Sequence, residues 1–372
     1  ERRAPVGSLG FAAVPAAPDS IRQRLARRTL ELIDVPSVSR GEQRLAAHVL
    51  EALRAGGVTC RDAGDTCVLA GATQRGSRPL VLLAGHLDTV PEQGNLPGAI
   101  VDDRVVGLGA ADMKGADAVM IELALALAGR QTAVDVGFVF FGREELAFTE
   151  SALSPLLARE PGLAEADLAI VMEPTANALQ LGCLGNLNAT WTFRGCAGHS
   201  ARPWLADNAI HRAAAGISAL AQIEHVEHRF GGLTYTEVVS VTTIAGGVAQ
   251  NVVPDRAVAQ LNYRFPPGRS APEAEAQVRA WCEPYGSLEI TGIAPSGRVV
   301  EGNPLVEALR AAGAGAVAAK QAWTPVAEFG LVGVDALNFG PGDPAYAHRG
   351  DEEISVDALA TSFAVLERFV CK

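Results

Sequence analysis

Leu80-Val81-Leu82-Leu83-Ala84-Gly85-His86-Leu87-Asp88-Thr89-Val90-Pro91 is the stretch whose reading decides the fold. Five apolar residues run uninterrupted from Leu80 to Ala84, the pattern of a strand covered on both faces. His86 and Asp88 then fall at its carboxyl end, where open α/β sheets place their chemistry. One residue separates them, so in extended backbone both side chains project to the same face and the carboxylate can orient the imidazole. Gly107-Leu108-Gly109-Ala110-Ala111-Asp112-Met113-Lys114-Gly115 supplies a further acid. Together the two segments look like half of a two-metal hydrolytic site.

Outward from this strand, apolar runs recur at Val134 to Phe141, Ala169 to Met172 and Asp335 to Phe339. Helical spacing marks Ser20 to Ile33, with Asp19-Ser20 as N-cap, and Arg44 to Leu53; both read as surface helices. Ala116 to Ala128 is apolar almost all round and reads as a buried helix. The alternation predicts βα units around a sheet covered on both faces. From about Gly185 the texture changes. Strands are expected at Asn188 to Arg194, Glu237 to Ile244, Arg256 to Phe265 and near Leu288, with helices at Asn208 to Ile223 and Ala271 to Cys282. That β-α-β-β-α-β order is ferredoxin-like, and Pro266-Pro267-Gly268 and Pro295-Ser296-Gly297 punctuate it. The expected fold is α/β, with a mixed, mostly parallel sheet in a helix-covered catalytic domain. That domain spans residues 1–184 and 296–372, and an inserted α+β domain spans residues 185–295.

With 372 residues, 48% hydrophobic and 20% charged, the chain can build one large and one smaller domain. A formal net charge of −11 argues against nucleic-acid or anionic-membrane partners, which reward clustered Lys and Arg. No stretch approaches the roughly 20 apolar residues of a membrane span. The cysteines at 60, 67, 183, 196, 282 and 371 show no CxxC pair and too low a density for a disulfide scaffold, so buried free thiols are expected. The Ala/Pro-rich segment up to Pro18 lacks a basic start followed by an apolar stretch, so no secretory signal and a cytoplasmic location are expected.

Each apolar strand is followed by residues able to bind a metal. His86 follows the first, Glu144-Glu145 the second, Glu173-Pro174 the third, and Gly340-Pro341-Gly342 then His348 the fourth. One such acid is ordinarily a solvated loop residue or a helix cap. Recurrence at successive strand ends, with Asp112 added, points to a site. Imidazole and carboxylate without thiolate suit Zn²⁺, with Co²⁺ or Mn²⁺ as substitutes. If Asp112 bridges, His86, Glu173, Glu145 and His348 leave two terminal ligands for each of two ions. Glu144 is the candidate general base.

GHLDTVP, GLGAADMKG, REE, MEPT, GHSARP, NVVP, YRFPP and NFGPGDPAYAH occur in that order from Gly85 to His348. The ordered set resembles the M20 family of co-catalytic metallopeptidases and deacylases, and within it most the actinobacterial succinyl-diaminopimelate desuccinylases. The resemblance implies that His86 and Glu173 hold one metal, Glu145 and His348 the other, and Asp112 both, with Asp88 supporting His86 and Glu144 as base. It implies that His199 belongs to a lid and reaches a partner subunit's active site to stabilise an oxyanion. A homodimer through the inserted domain follows. Asn251, Arg264 and Thr324 match substrate-contacting positions, and Arg202 of the GHSARP segment is grouped with them. His48, His211, His225 and His228 match nothing and read as surface residues.

Thr324-Pro325-Val326-Ala327-Glu328-Phe329 departs from the family's usual Thr-Asp-Val-Ala-Arg-Phe. Glu328 reverses a charge near the expected polar end of the substrate, which disfavours an anionic group there. Arg143 stands where many relatives carry Asp or Cys, and Asp335 where proline is usual. The implied reaction is hydrolysis of the amide of an N-acyl amino acid, first N-succinyl-L,L-diaminopimelate, to succinate and diaminopimelate. Deacylation of another N-acyl amino acid, acetylornithine-like or from specialised metabolism, is the alternative, as is dipeptidase or carboxypeptidase activity. A binding homologue without turnover is the reading from a different class.

Overall fold

A computed structural model describes residues 20–371, so the Ala/Pro-rich segment, Asp19 and Lys372 lie outside the described residues. Helix α1 (Ile21–Ile33) starts at Ser20, whose hydroxyl accepts from the Gln23 N–H while the Gln23 side chain accepts from the Ser20 N–H. This reciprocal cap fixes the first turn. α2 (Gln43–Ala55) precedes the hairpin of β1 (Cys60–Gly64) and β2 (Cys67–Gly71). β3 (Leu80–His86) is buried along its whole length. A small ribbon, β4 (Ala99–Val101) and β5 (Arg104–Val106), leads to α3 (Gly115–Leu127), buried from Gly115 to Ala124. β6 (Asp135–Phe141), α4 (Leu153–Arg159), β7 (Leu168–Val171) and β8 (Leu179–Leu181) follow.

A second unit then holds β9 (Gly185–Arg194), β10 (Gly198–His199), α5 (Ala209–Leu220), β11 (Val226–Phe230) and β12 (Leu233–Gly246). It continues through β13 (Val252–Val253), β14 (Arg256–Phe265), α6 (Ala271–Cys282) and β15 (Ser287–Ala294). α7 (Pro304–Ala311), β16 (Val317–Ala319), α8 (Val326–Leu331), β17 (Ala336–Asn338), β18 (Glu353–Ser355) and α9 (Val356–Cys371) complete the chain.

The first sheet has the order β1-β2-β6-β3-β7-β17-β8-β16. Its centre, β6-β3-β7-β17, is parallel, with Leu83 opposite Phe138 on one side and Ile170 on the other. Alternate residues of β3 serve opposite layers. Val81 and Leu83 join the core under α1, α2, α3 and α9, while Leu80, Leu82 and Ala84 join the core under α4 and α8. Truncating a buried leucine such as Leu83 to alanine would cost about 2–5 kcal/mol. Parallel direction brings the carboxyl ends of all four central strands to one edge.

The second sheet, β11-β12-β14-β9-β15, is antiparallel throughout. Without β11 its order is ferredoxin-like. Trp191, Phe193 and Tyr263 pack with α5 and α6 on one face. Asn186, Asn188, Asn262 and Arg264 belong to the other, where the Asn262 amide donates to both Asn186 and Asn188 at 2.7 Å. β11 was not expected from the sequence. Its residues Val-Glu-His-Arg-Phe are largely exposed, and Gly231-Gly232, both at positive φ, turn the chain into β12.

All six cysteines are free, but only Cys67, Cys183 and Cys282 are buried. Cys196 corrects the expectation of burial: it is exposed, beyond the end of β9, in a backbone bridge with Asp207. No helix among the described residues is long and apolar enough to cross a membrane.

Candidate metal centre

Two donor sets form at the carboxyl edge of the first sheet. His86, Asp112 and Glu173 make one; Asp112, Glu145 and His348 make the other; within each, the donor atoms lie within 4.8 Å of one another. His86 Nε2 is 3.1 Å from Asp112 Oδ1 and 3.8 Å from Glu173 Oε1. His348 Nε2 is 2.9 Å from Glu145 Oε1 and 3.5 Å from Asp112 Oδ2. Asp112 therefore presents one oxygen to each set. Glu173 Oε1 is buried without a hydrogen-bond partner, and such an oxygen is retained where a further ligand satisfies it. Three carboxylates and two imidazoles without a thiolate fit a pair of zinc-like divalent ions.

The backbone explains the arrangement. His86 ends β3, and Glu173 follows β7, its parallel neighbour. His86 Nδ1 lies 3.0 Å from the Asp88 main-chain oxygen and 3.6 Å from the Asp88 carboxylate. Asp88 thus supports the imidazole chiefly through its backbone. Its carboxylate is engaged elsewhere, accepting from the backbone N–H of Glu144 at 2.9 Å, that of Glu145 at 3.0 Å and the Ser39 hydroxyl at 2.8 Å. These bonds tie the turn after β6 to the end of β3. Glu42, fully buried, accepts from the N–H of Arg40 and of Arg143 and clamps the same turn from behind. Neither clamp has a signature in the sequence, because the partners are main-chain groups.

Burial disfavours a charged His86, yet the hydrogen bond to Asp112 and the charges of Glu144, Asp112 and Asp88 outweigh it and hold its pKa well above the usual imidazole value. The hydrogen bonds of His348 to Asp112 and Glu145 push it up to about 10. Burial is the largest influence on Asp112 and would raise it, but the bonds to His348 and His86 prevail and keep it low. Burial, then the charge of Asp112, pushes Glu173 up to about 7. Glu144 accompanies His86 and Glu145 in a third group of donor atoms within 4.8 Å. Burial and then the charge of Glu173 raise it well above the ordinary carboxylate range. Protons and cations compete for the same atoms in this cluster.

The remaining residues singled out in the sequence lie elsewhere. β10 pairs with β13, and the Ser200 N–H bonds the Asn251 carbonyl, so His199 and Asn251 share one exposed ribbon with Arg202. His199 Nδ1 accepts from the Ala201 N–H at 3.0 Å. No hydrogen bond or ion pair among the described residues joins this ribbon to the donor cluster. Arg264, half-buried on β14, bonds Asn262 through Nε at 2.9 Å. Thr324 is buried and its hydroxyl has no partner. His228 bonds Glu237 at 2.8 Å and is half-covered rather than free on the surface.

The departures from the family pattern also find places. Glu328 is 1% exposed, and its carboxylate accepts from the hydroxyls of Ser151 and Ser154 between α8 and α4. Its carboxylate is thus enclosed and hydrogen-bonded rather than free. Burial raises its pKa against the effect of the serine bonds. Arg143 turns away from the donors to Asp65 and the Glu150 carbonyl, each at 2.7 Å. Asp335 accepts from Arg298 and from Asn303 at the start of α7.

The description "Peptidase family M20/M25/M40" belongs to the family model that matches residues 82–372. A Mycobacterium tuberculosis chain assigned as a succinyl-diaminopimelate desuccinylase is 40% identical over 345 residues, covering 92% of this chain and 96% of that one. The succinyl-diaminopimelate desuccinylase of Corynebacterium glutamicum is 36% identical over 356 residues, 92% and 95% of the respective chains. Among solved structures, an M20 metallo-carboxypeptidase of Sulfolobus solfataricus superposes with a TM-score of 0.77 at 19% identity, covering 93% of this chain and 98% of its own. A dinuclear metal-binding M20 peptidase of Bacillus subtilis gives 0.69 at 19% identity, covering 94% and 97%. At that identity the structures speak for the fold.

Proposed function

Because this chain belongs to peptidase family M20/M25/M40, we propose that it hydrolyses the amide bond of an N-acyl amino acid, with N-succinyl-L,L-diaminopimelate as the leading substrate. The observation that carries the reading is Asp112, placed with one oxygen in each of two donor sets. His86 and Glu173 would hold one cation, Glu145 and His348 the other, and Asp112 both. Bound there, two divalent cations, zinc by donor chemistry, would polarise the scissile carbonyl and lower the pKa of the attacking water.

Glu144 would take the proton of that water and deliver it to the leaving nitrogen. Its acidic, water-poor surroundings raise its proton affinity, which suits a group that must both accept and release a proton. His199 would donate to the oxyanion from the exposed ribbon, and exposure there favours delivery into the cleft of a second copy, in a homodimer built through the second unit. Arg264 would pair with a substrate carboxylate. Asn251, Arg202 and the unpartnered hydroxyl of Thr324 would complete substrate recognition.

Identity of 36–40% with desuccinylases over 92% of the chain supports the succinyl assignment. So does Glu328, whose carboxylate is enclosed between α8 and α4 and engaged by the hydroxyls of Ser151 and Ser154. A second reading, deacylation with a different acyl group, is favoured by Pro325, which stands where an aspartate is usual and, at the N-cap position of α8, offers no side-chain hydrogen bond.

The test is a panel of N-succinyl, N-acetyl and dipeptide substrates with the free amine detected. A succinyl preference is expected; a preference for neutral acyl groups would overturn the assignment. In the same assay Glu144→Gln should lower kcat by about 10²–10⁴-fold while metal content stays unchanged. Full activity in that variant removes Glu144 as the base.

A further inference from the structure

Glu352 belongs to neither donor set, and its carboxylate is nonetheless 1% exposed inside the turn that carries Asp112. Oε1 accepts from the backbone N–H of Ala111 and of Asp112, and Oε2 from that of Gly109, each at 2.9 Å. Burying a carboxylate is unfavourable unless its oxygens are satisfied, and here three main-chain donors do so. Gly109 makes this geometry: its φ of 78° and ψ of 8° are left-handed, a conformation that glycine adopts readily and that lets nearby N–H groups converge on an anion. The Glu352 carbonyl also accepts from the Gly107 N–H at 3.0 Å. While the Leu108 N–H bonds the Asn95 carbonyl, four N–H groups of the turn, those of Gly107, Gly109, Ala111 and Asp112, are therefore fastened to one residue.

That residue shares a segment with His348. Gln93 donates to the His348 carbonyl at 3.0 Å and Asn95 to the Arg349 carbonyl at 3.3 Å, while the next residue, Glu353, begins the pairing of β18 with β5. One short length of chain thus presents His348 to the cluster and grips the backbone of Asp112 from behind. We infer that Glu352 is a positioning residue: it aims the carboxylate common to both donor sets and keeps Asp112 and His348 in fixed relation. The inference rests on the dinuclear reading given above.

Metal-free wild type, Glu352→Gln and Glu352→Ala are to be titrated with Co²⁺ by calorimetry, with absorption spectra of the loaded proteins and melting curves of the metal-free ones. Glutamine keeps one oxygen for Ala111 and Asp112 but sets an amide NH₂ against the Gly109 N–H. A loss of about tenfold in affinity is expected for it, and up to about a hundredfold for alanine, within the range for residues that support a ligand. The larger loss falls on the ion held with His348, and the Co²⁺ absorption bands shift. Glu353→Gln, whose native side chain pairs with Arg104 at the surface, leaves both affinities unchanged; an equal loss there overturns the assignment to Glu352. If the alanine variant does not fold, the near-isosteric glutamine variant decides. Wild type and variant taking up two ions with equal affinity and identical spectra overturns the role of Glu352 alone. Fewer than two ions in the wild type overturns the dinuclear reading and this inference with it.

Discussion

His86 ends β3 and Glu173 follows its parallel neighbour β7, the two being 1% and 8% exposed, whereas Glu145, 9% exposed, and His348, 52% exposed, come from a turn and a loop. The first pair is placed by the sheet itself: His86 pairs with Phe141 in the β3–β6 ladder, and Glu173 lies two residues past the β3–β7 ladder, which ends at Ala84 and Val171. The second pair depends on local bonds: Asp88 to the Glu145 N–H, and Gln93 to the carbonyl of His348, which sits at a φ of 62°. The deep half is a product of the fold and the shallow half a product of supporting contacts, so the two should differ in how firmly they hold an ion.

The largest effect that could break this contrast comes from removing one imidazole at a time. His86→Ala should weaken the deep ion by roughly 10³-fold, beyond the 10–100-fold usual for a supporting residue, and disturb the shallow ion through Asp112. His348→Ala should leave one ion firmly bound. Metal content after gel filtration checks both, and two retained ions in either variant would end the comparison.

The contrast also governs what was legible in the sequence. The deep half was readable because β3 and β7 are continuous apolar runs whose carboxyl ends can only lie at one edge of a parallel sheet. The shallow half was readable less directly: Glu145 follows the apolar run Val134 to Phe141, His348 lies nine residues beyond Phe339, and motif order supported both. β8, β16 and β17 are three-residue strands, too short to show a period of two, and only the last was expected. β11 escaped because an exposed edge strand carries no hydrophobic alternation. Glu42, Asp88 and Glu352 act on main-chain N–H groups, which look alike in every sequence. The charge reversal at Glu328 was visible, but its direction was not: only packing of α8 on α4 shows the carboxylate meeting Ser151 and Ser154.

Proton competition should separate the halves next. In the deep half His86 is raised well above its usual value and Glu173 up to about 7, while in the shallow half His348 is raised to about 10. Groups that carry protons below these values must release them to bind a cation, so affinity rises with pH at both halves. Below pH 7 the deep half sheds up to two protons and the shallow half one, giving about a hundredfold and about tenfold per pH unit. Above pH 7 Glu173 is already ionised and the slopes converge. Calorimetry in buffers of different ionisation enthalpy counts the protons, and equal counts below pH 7 would remove the distinction.

Behind the deep half lies Asp117 on α3, 0% exposed, with neither carboxylate oxygen bonded and so close to Gly85 that a side chain there would collide with it. Burial raises it to about 8, against the opposing charges of His86 and Lys114. A folded-state pKa above the unfolded value means that its contribution is complete below about pH 4 and is lost as pH rises through 8. Asp117→Asn removes the ionisation. It should therefore stabilise the metal-free protein at pH 8 by on the order of 2–4 kcal/mol and change little at pH 4. Thermal unfolding at the two pH values measures this, and a shift independent of pH would show that the carboxyl group is not the cause.

The smallest effect probes the shallow half alone. Gln93→Ala deletes the donor to the His348 carbonyl and leaves every ligand in place. One neutral hydrogen bond contributes about 0.5–1.5 kcal/mol, so the affinity for the ion held with His348 should fall about two- to tenfold while the deep ion is untouched. Sequential calorimetric titration resolves the two binding steps. Equal weakening of both would mean that the loop reaches the deep half through Asp112, and that the cluster behaves as one rigid body rather than as a strand-built half joined to a loop-built one.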